Sequence, residues 1–249
     1  MGLLDFFKSK KSAGQDGGPT VDKNTQRLAR VIADKHAQNY DRMEAIQQAA
    51  GLGTAESAAA LLKRFPYYVE PSITDQEEKE VAFRGVVAAG EQAIQPIRDF
   101  CVRAESLTWP MKILHEILPE DRYIDELLVV LKRFDTEYIK NAEPKVQLIA
   151  ALEGRKRPDV LETVEQFLED FDEPVRFNAV TSIFSQESES STAALCRALI
   201  AEESVRVKNR IGEGLMTRGW TVPEELRADV GRSLPSGYRL EGGVVKKSH

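Results

Sequence analysis

The residue types that carry most protein chemistry are thinly spread along this chain. His36, His115 and His249 lie far apart. No two of them have the i, i+3 or i, i+4 spacing that sets two metal ligands on one helical face. Cys101 and Cys196 are too few for a disulfide framework or a zinc knuckle, and their apolar neighbours suit inert core thiols. The serine-rich run 185–191 lacks the Gly-x-Ser-x-Gly elbow of a hydrolase nucleophile and reads as a polar turn. Trp109 precedes Pro110 and Trp220 precedes Thr221, so both are expected to pack beside helix starts. No catalytic constellation emerges, and no residue set calls for a metal or a cofactor. The expectation is a non-catalytic protein.

Three sets of residues suit recognition instead. Lys112, Arg176 and Arg206 recur in phase and form either a basic ladder for an acidic partner or a set of internal pairs. In the second reading Glu173 and Glu203, near helix N-termini where a carboxylate is favoured, are the expected acids. Tyr67 and Tyr68 stand in Phe65-Pro66-Tyr67-Tyr68-Val69-Glu70-Pro71, which two prolines keep extended. There the rings either anchor a partner or pack between the first unit and the next. Leu3, Leu4, Phe6 and Phe7, followed by Lys8, Lys10 and Lys11, form an apolar, basic tip. Such a tip can dock on a protein groove, touch an anionic membrane weakly, or fold back onto its own chain.

Composition narrows the classes further. The 249 residues carry 34 Lys and Arg against 40 Asp and Glu, a net charge of -6. Residues 1–11 and 238–249 are each +2, so the body between them is strongly acidic. That balance argues against a general nucleic-acid binder, which needs clustered cations. No apolar run approaches the roughly 20 residues of a spanning helix. The apolar stretch after Met1 is interrupted by Asp5 and followed by lysines, the reverse of a secretory leader. A reducing cytoplasm is the expected compartment.

The elements that must present these side chains read as short helices. Apolar residues recur at three- and four-residue steps, as in Leu28-Val31-Ile32, Leu127-Leu128-Leu131-Phe134 and Leu161-Val164-Phe167-Leu168-Phe171. Thr74 with Glu77, and Thr221 with Glu224, have capping-box spacing. Pro110, Pro144, Pro174 and Pro223 suit first turns. Gly51, Gly90, Gly154 and Gly219 suit left-handed helix ends. About a dozen helices in antiparallel hairpins follow. Residues 1–20 are expected as a flexible tail, 21–235 as the helical body, and 236–249 as a capping segment in which Gly242-Gly243 turns a small hairpin.

The hairpins repeat. Glu80, Pro110, Pro144, Pro174 and Ser204 fall in register at spacings of 30, 34, 30 and 30, each marking the start of a first helix. Second helices are expected at 91–104, 121–133, 157–171 and 189–202. The strings Glu173-Pro174-Val175-Arg176-Phe177-Asn178-Ala179-Val180 and Glu203-Ser204-Val205-Arg206 resemble the acidic-x-Val-Arg-x-x-Ala pattern of HEAT-like repeats of the phycobilin-lyase type. The resemblance covers about residues 75–235, with a degenerate first unit over 22–70, and extends to uncharacterised bacterial HEAT-repeat proteins. It implies an all-α, right-handed α-solenoid of about six HEAT-like helical hairpins, whose second helices line a concave surface presenting Glu162, Glu165, Glu169 and Asp170. A repeat fold with large exposed faces and no convergent catalytic set leads to the expectation of a scaffold or adaptor that binds another protein through its concave surface or its terminal segments. The same resemblance leaves open an enzyme or enzyme subunit, either a DNA-alkylation glycosylase or a bilin-lyase-like protein, and the tail leaves open a peripheral membrane adaptor.

Overall fold

A computed structural model of the chain describes residues 23–248. The candidates Leu3, Leu4, Phe6 and Phe7, and also His249, lie outside the described residues. Among the described residues the chain forms thirteen α-helices and one two-stranded sheet, so the all-α expectation holds. In order they are α1 (Lys23–Ala33), α2 (Asn39–Ala50), α3 (Ala55–Leu62), α4 (Ser72–Ala88), α5 (Ile94–Cys101), α6 (Thr108–Ile117) and α7 (Glu120–Leu131). Then come α8 (Glu143–Ala151), α9 (Pro158–Glu165), α10 (Glu173–Ser185), α11 (Thr192–Ala201), α12 (Val205–Arg218) and α13 (Arg227–Ser233). Single 3₁₀ turns lead into α5, α11 and α13 and extend α9 through Glu169.

Toward both ends of the described chain, helices two apart lie side by side, whereas α5 to α8 are joined mainly in sequence. The odd helices α1, α3 and α5 lie side by side, as do the even helices α2, α4 and α6. Further along, α8, α10 and α12 are neighbours, and the turn after α9 contacts α11, which contacts α13. Each helix with a substantial neighbour finds it no more than two helices away in the chain. The interior is the seam between the two sets. It runs from Leu28, Ile32 and Ile46 through Val86, Ile97, Ile113 and Leu127 to Ile149, Val164, Ile183, Leu199 and Ile211, all almost fully buried. Polar ties reinforce the middle: the Arg98 guanidinium forks onto Glu126 at 2.6 Å through both nitrogens, and Arg157 reaches Asp125 at 2.7 Å.

Helix boundaries follow local chemistry, with instructive departures. Pro110, Pro144 and Pro174 all fall within first turns. Gly219 ends α12 with φ 64°, and Gly90 and Gly154 also take positive φ. Gly51 does not: its φ is −73°, and the left-handed residue is Gly53 instead. The Thr74–Glu77 capping box does not form. The fourth helix starts at Ser72, so Glu80 lies inside it. Its early residues Asp75, Glu78 and Lys79 are held helical by ion pairs described below. Thr221–Glu224 is not a box either: the Thr221 N–H donates to the Glu189 carboxylate at 3.2 Å, and the turn at Glu224 starts after Pro223. A capping box does form at Thr54 and Ser57. Phe171, expected on a buried stripe, is exposed.

The C-terminal hairpin is present as β1 (Tyr238–Glu241) and β2 (Val244–Lys247), antiparallel, with Gly242 and Gly243 both at positive φ. It lies on α12 and α13, with Val245 buried.

Two glycines set how closely the even helices approach. A Cβ on Gly214 of α12 would sit 2.1 Å from the Phe184 ring of α10, and one on Gly85 of α4 would sit 2.6 Å from Ala50 Cβ. Gly231 of α13 faces open space. Gly214→Ala is therefore expected to lower the unfolding free energy by about 1–3 kcal/mol through overpacking. Gly231→Ala is expected to raise it by up to about 1 kcal/mol through helix propensity. Urea midpoints of the two variants check this contrast.

Candidate functional site

The candidate recognition residues are dispersed, and most are held by internal partners. Around Tyr67, α2, α3 and α4 meet at a buried ion cluster. The Arg42 guanidinium donates to both Glu78 oxygens at 2.8 and 3.0 Å, and Arg64 donates to Glu78 at 2.6 Å and Asp75 at 2.7 Å. Lys79 adds a bond to Asp75 at 2.7 Å. Arg42, Arg64 and Glu78 have fully buried side chains. The Tyr67 hydroxyl donates to the Ile32 carbonyl, and its ring lies 4.5 Å from the Arg64 guanidinium carbon. Burial pushes its hydroxyl up to about 12, against the opposing pull of Arg64. Tyr67 is thus part of the body, whereas Tyr68 beside it is exposed.

Lys112, Arg176 and Arg206 do not converge. The Lys112 ammonium sits 4.9 Å and 5.1 Å from the Phe83 and Trp109 ring centroids, over an aromatic cluster in which Phe65 stacks on Trp109 at 5.0 Å. Arg176 forks onto Glu202 at 2.7 and 2.9 Å and donates to the Asp170 and Phe171 carbonyls at 2.8 and 3.0 Å. Arg206 reaches Glu173 at 3.1 Å and lies 3.7 Å over the Phe177 ring. Glu173 is therefore the acid that ties α12 to α10, but Glu202, rather than Glu203, takes Arg176.

A second latch has the same form: Lys145, in the first turn of α8, donates to Asp170 at 2.8 Å, with both side chains buried. Lys145–Asp170 and Arg176–Glu202 each join an even helix's first turn or two to the acid that closes the following odd segment. Asp170 is accordingly interior and is not presented on an open face as the resemblance implied. The signal that could have found the latches is the near-equal separation of base and acid, 25 and 26 residues.

The remaining sequence candidates are structural. Cys101 and Cys196 are buried thiols, which burial pushes up to about 12 and about 11. His115 is exposed and meets Tyr123 edge-on at 5.1 Å. Among the described residues no three His, Cys, Asp or Glu side chains are placed to hold a metal ion, and no helix is long and apolar enough to cross a membrane. The Ser185 hydroxyl accepts from the Gly154 N–H at 2.7 Å, as a turn residue would. Trp220 is buried against Phe184, with centroids 5.5 Å apart.

Two surface features were missed by sequence reasoning. The first is an edge. The starts of the even helices are tied to one another: Asn39 to the Glu70 carbonyl at 3.1 Å, Asn141 to the Glu105 carbonyl at 2.8 Å, and the Phe171 N–H to the Thr136 carbonyl at 2.8 Å. Along this edge stand Tyr40, Tyr68, Ile73, Tyr138, Phe171 and Val205, each more than half exposed. Tyr138 and Phe171 pair edge-on at 5.2 Å. The second feature is a groove of about 880 Å³ between α3 and α5, floored by Ala55, Ala59, Leu62, Pro96, Phe100 and Ala104. Neither shows in the sequence, because each gathers residues from separate helices.

No protein-family model, no curated protein and no solved structure matches the chain.

Three outcomes follow from this geometry. The two native thiols are expected to react with Ellman's reagent at pH 8 at least a hundredfold more slowly than in urea, since a buried thiol yields little thiolate. The second concerns acid stability. Burial opposes ionisation of Asp75 and Glu202, but bonds from Lys79, Arg64 and the Val69 N–H, and from Arg176 and the Ser204 N–H, hold both carboxyls below their ordinary values. A carboxyl lowered in the folded state stabilises fully above its unfolded value, and that contribution is lost as pH falls through the folded one. The urea midpoint is thus expected to fall below about pH 4.5. Arg176→Gln should remove Glu202's share of that slope. As a third outcome, Glu78→Ala leaves the buried Arg42 guanidinium without a carboxylate and Arg64 with Asp75 alone, and should cost about 3–5 kcal/mol at pH 7.

Proposed function

We propose that this chain is a non-catalytic scaffold or adaptor: a right-handed solenoid of about six HEAT-like hairpins that binds another protein through its surface or its terminal segments in the cytoplasm. The observation that carries the reading is the row of exposed aromatic and aliphatic side chains along the edge where the even helices begin. Aromatic side chains of this kind supply much of the energy of protein interfaces. An apolar row running over several repeats is a form of surface that stacked hairpins offer to partners. The internal pairing of Arg176 and Arg206 supports the same reading, because it assigns the in-phase cations to holding helices together and leaves recognition to the apolar edge.

The test is affinity capture from lysate of the source cells with tagged full-length chain and with Tyr138→Ser/Phe171→Ser. Both side chains are solvent-facing, so the variant should retain the wild-type unfolding midpoint. The reading expects a protein recovered near stoichiometrically with the wild type and at least about tenfold less with the double variant. No stoichiometric protein with the wild type would overturn it.

A further inference from the structure

The groove between α3 and α5 has the form of a seat for an apolar segment. Its floor is made of small and apolar side chains from two helices lying side by side, and at about 880 Å³ it is large enough to take several apolar side chains at once. Its rim carries Glu56, Asp99 and Glu105 beside Lys63 and Arg103, and Asp99 is already met by Gln95 at 2.8 Å and Arg133 at 3.5 Å. An occupant should therefore be short and apolar, with polar ends that can meet charges of either sign.

The chain itself contains such a segment. Leu3, Leu4, Phe6 and Phe7 are followed by Lys8, Lys10 and Lys11. The described structure begins at Lys23 with α1, which packs directly on α3, the near wall of the groove. Packed helices lie about 8–10 Å apart, so the far wall is roughly 20 Å from α1. The 16 residues from Phe7 to Lys23 span at most about 50 Å, more than twice the distance to the far wall. A tether of this length holds a segment at an effective concentration near the millimolar range. Even a weak seat would then be filled from within the chain before a second copy could compete.

We infer that the α3–α5 groove is a peptide-docking site, and that its resident occupant is this chain's own segment around Leu3–Phe7, with the following lysines beside the rim carboxylates Glu56 and Glu105. The inference goes beyond the adaptor reading and does not depend on it, since the occupant is intramolecular and the test needs no partner. In functional terms the groove is covered until the segment is displaced, so any external ligand of the groove competes with residues 3–7.

Hydrogen exchange on the full chain, read by mass spectrometry, tests this. The wild type should show amides 3–11 exchanging at least about tenfold more slowly than an unstructured peptide. Phe6→Ser/Phe7→Ser should abolish that protection and speed exchange in α3 and α5 while leaving α10–α12 unchanged. Ala59→Trp, which fills the groove, should free residues 3–11 in the same way. A labelled peptide of residues 1–12 should bind the Phe6→Ser/Phe7→Ser chain at least about tenfold more tightly than the wild type. Unprotected amides 3–11 in the wild type would overturn the inference. So would protection that survives Ala59→Trp in a chain whose α10–α12 exchange is unaltered, which would place the seat elsewhere. Protection that grows with protein concentration, together with a dimer in sedimentation, would assign the groove to a second copy and overturn the intramolecular seat.

Discussion

None of these helices can bury its apolar surface in a single partner. Most are 8 to 14 residues long, too short to be stable alone in water, and most carry apolar side chains toward both the opposite set and a neighbour in the same set. The stable solution is a shared apolar seam to which successive helices each contribute. Gly85 and Gly214 show how tightly that rule is enforced, since each admits a neighbouring helix to a distance at which no Cβ would fit. Everything else in the molecule is arranged around this seam: ion pairs that fix neighbours, turns that reverse the chain, and a surface left outside.

The charged residues are subordinate to the same constraint. Arg42, Arg64, Glu78, Lys145 and Asp170 are buried, and removing a charge from water is costly unless it is paired and fully hydrogen-bonded. Here each has that pairing. The pairs therefore act as position-specific locks between elements and give no reservoir of free chemistry. Arg176 and Arg206 extend the principle into a partly buried and an exposed position, where a carboxylate or a ring receives each cation. The apolar edge and the groove between α3 and α5 lie outside these locks.

Much of the local structure was legible in the sequence. Three- and four-residue apolar steps gave the helical class. Pro144 and Pro174, whose missing N–H costs nothing in a first turn, gave helix starts, and Gly90, Gly154 and Gly219, free to take positive φ, gave stops. Gly242-Gly243 gave the hairpin. What failed were features decided across the chain. The start of α4 moved to Ser72 because Arg64 and Arg42 draw Asp75 and Glu78 into the helix. The acids of the latches proved to be Asp170 and Glu202, since the geometry of helix ends, more than sequence phase, determines which carboxylate a cation meets. Phe171 left the buried stripe because the chain turns at Asp170, whose side chain goes inward instead. Of the two surface features the sequence marked only Tyr68, because each is assembled from several separate helices and their connections.

If stability resides in contacts between neighbours along the seam, damage at one end should stay at that end. Native-state hydrogen exchange of a Leu215→Ala variant measures this directly, because Leu215 is fully buried in α12. The account predicts faster exchange in α10 to α13 and the C-terminal hairpin, with protection in α1 to α4 unchanged from the wild type. Equal acceleration from α1 to α13 would show one closed, globally cooperative core and would contradict it.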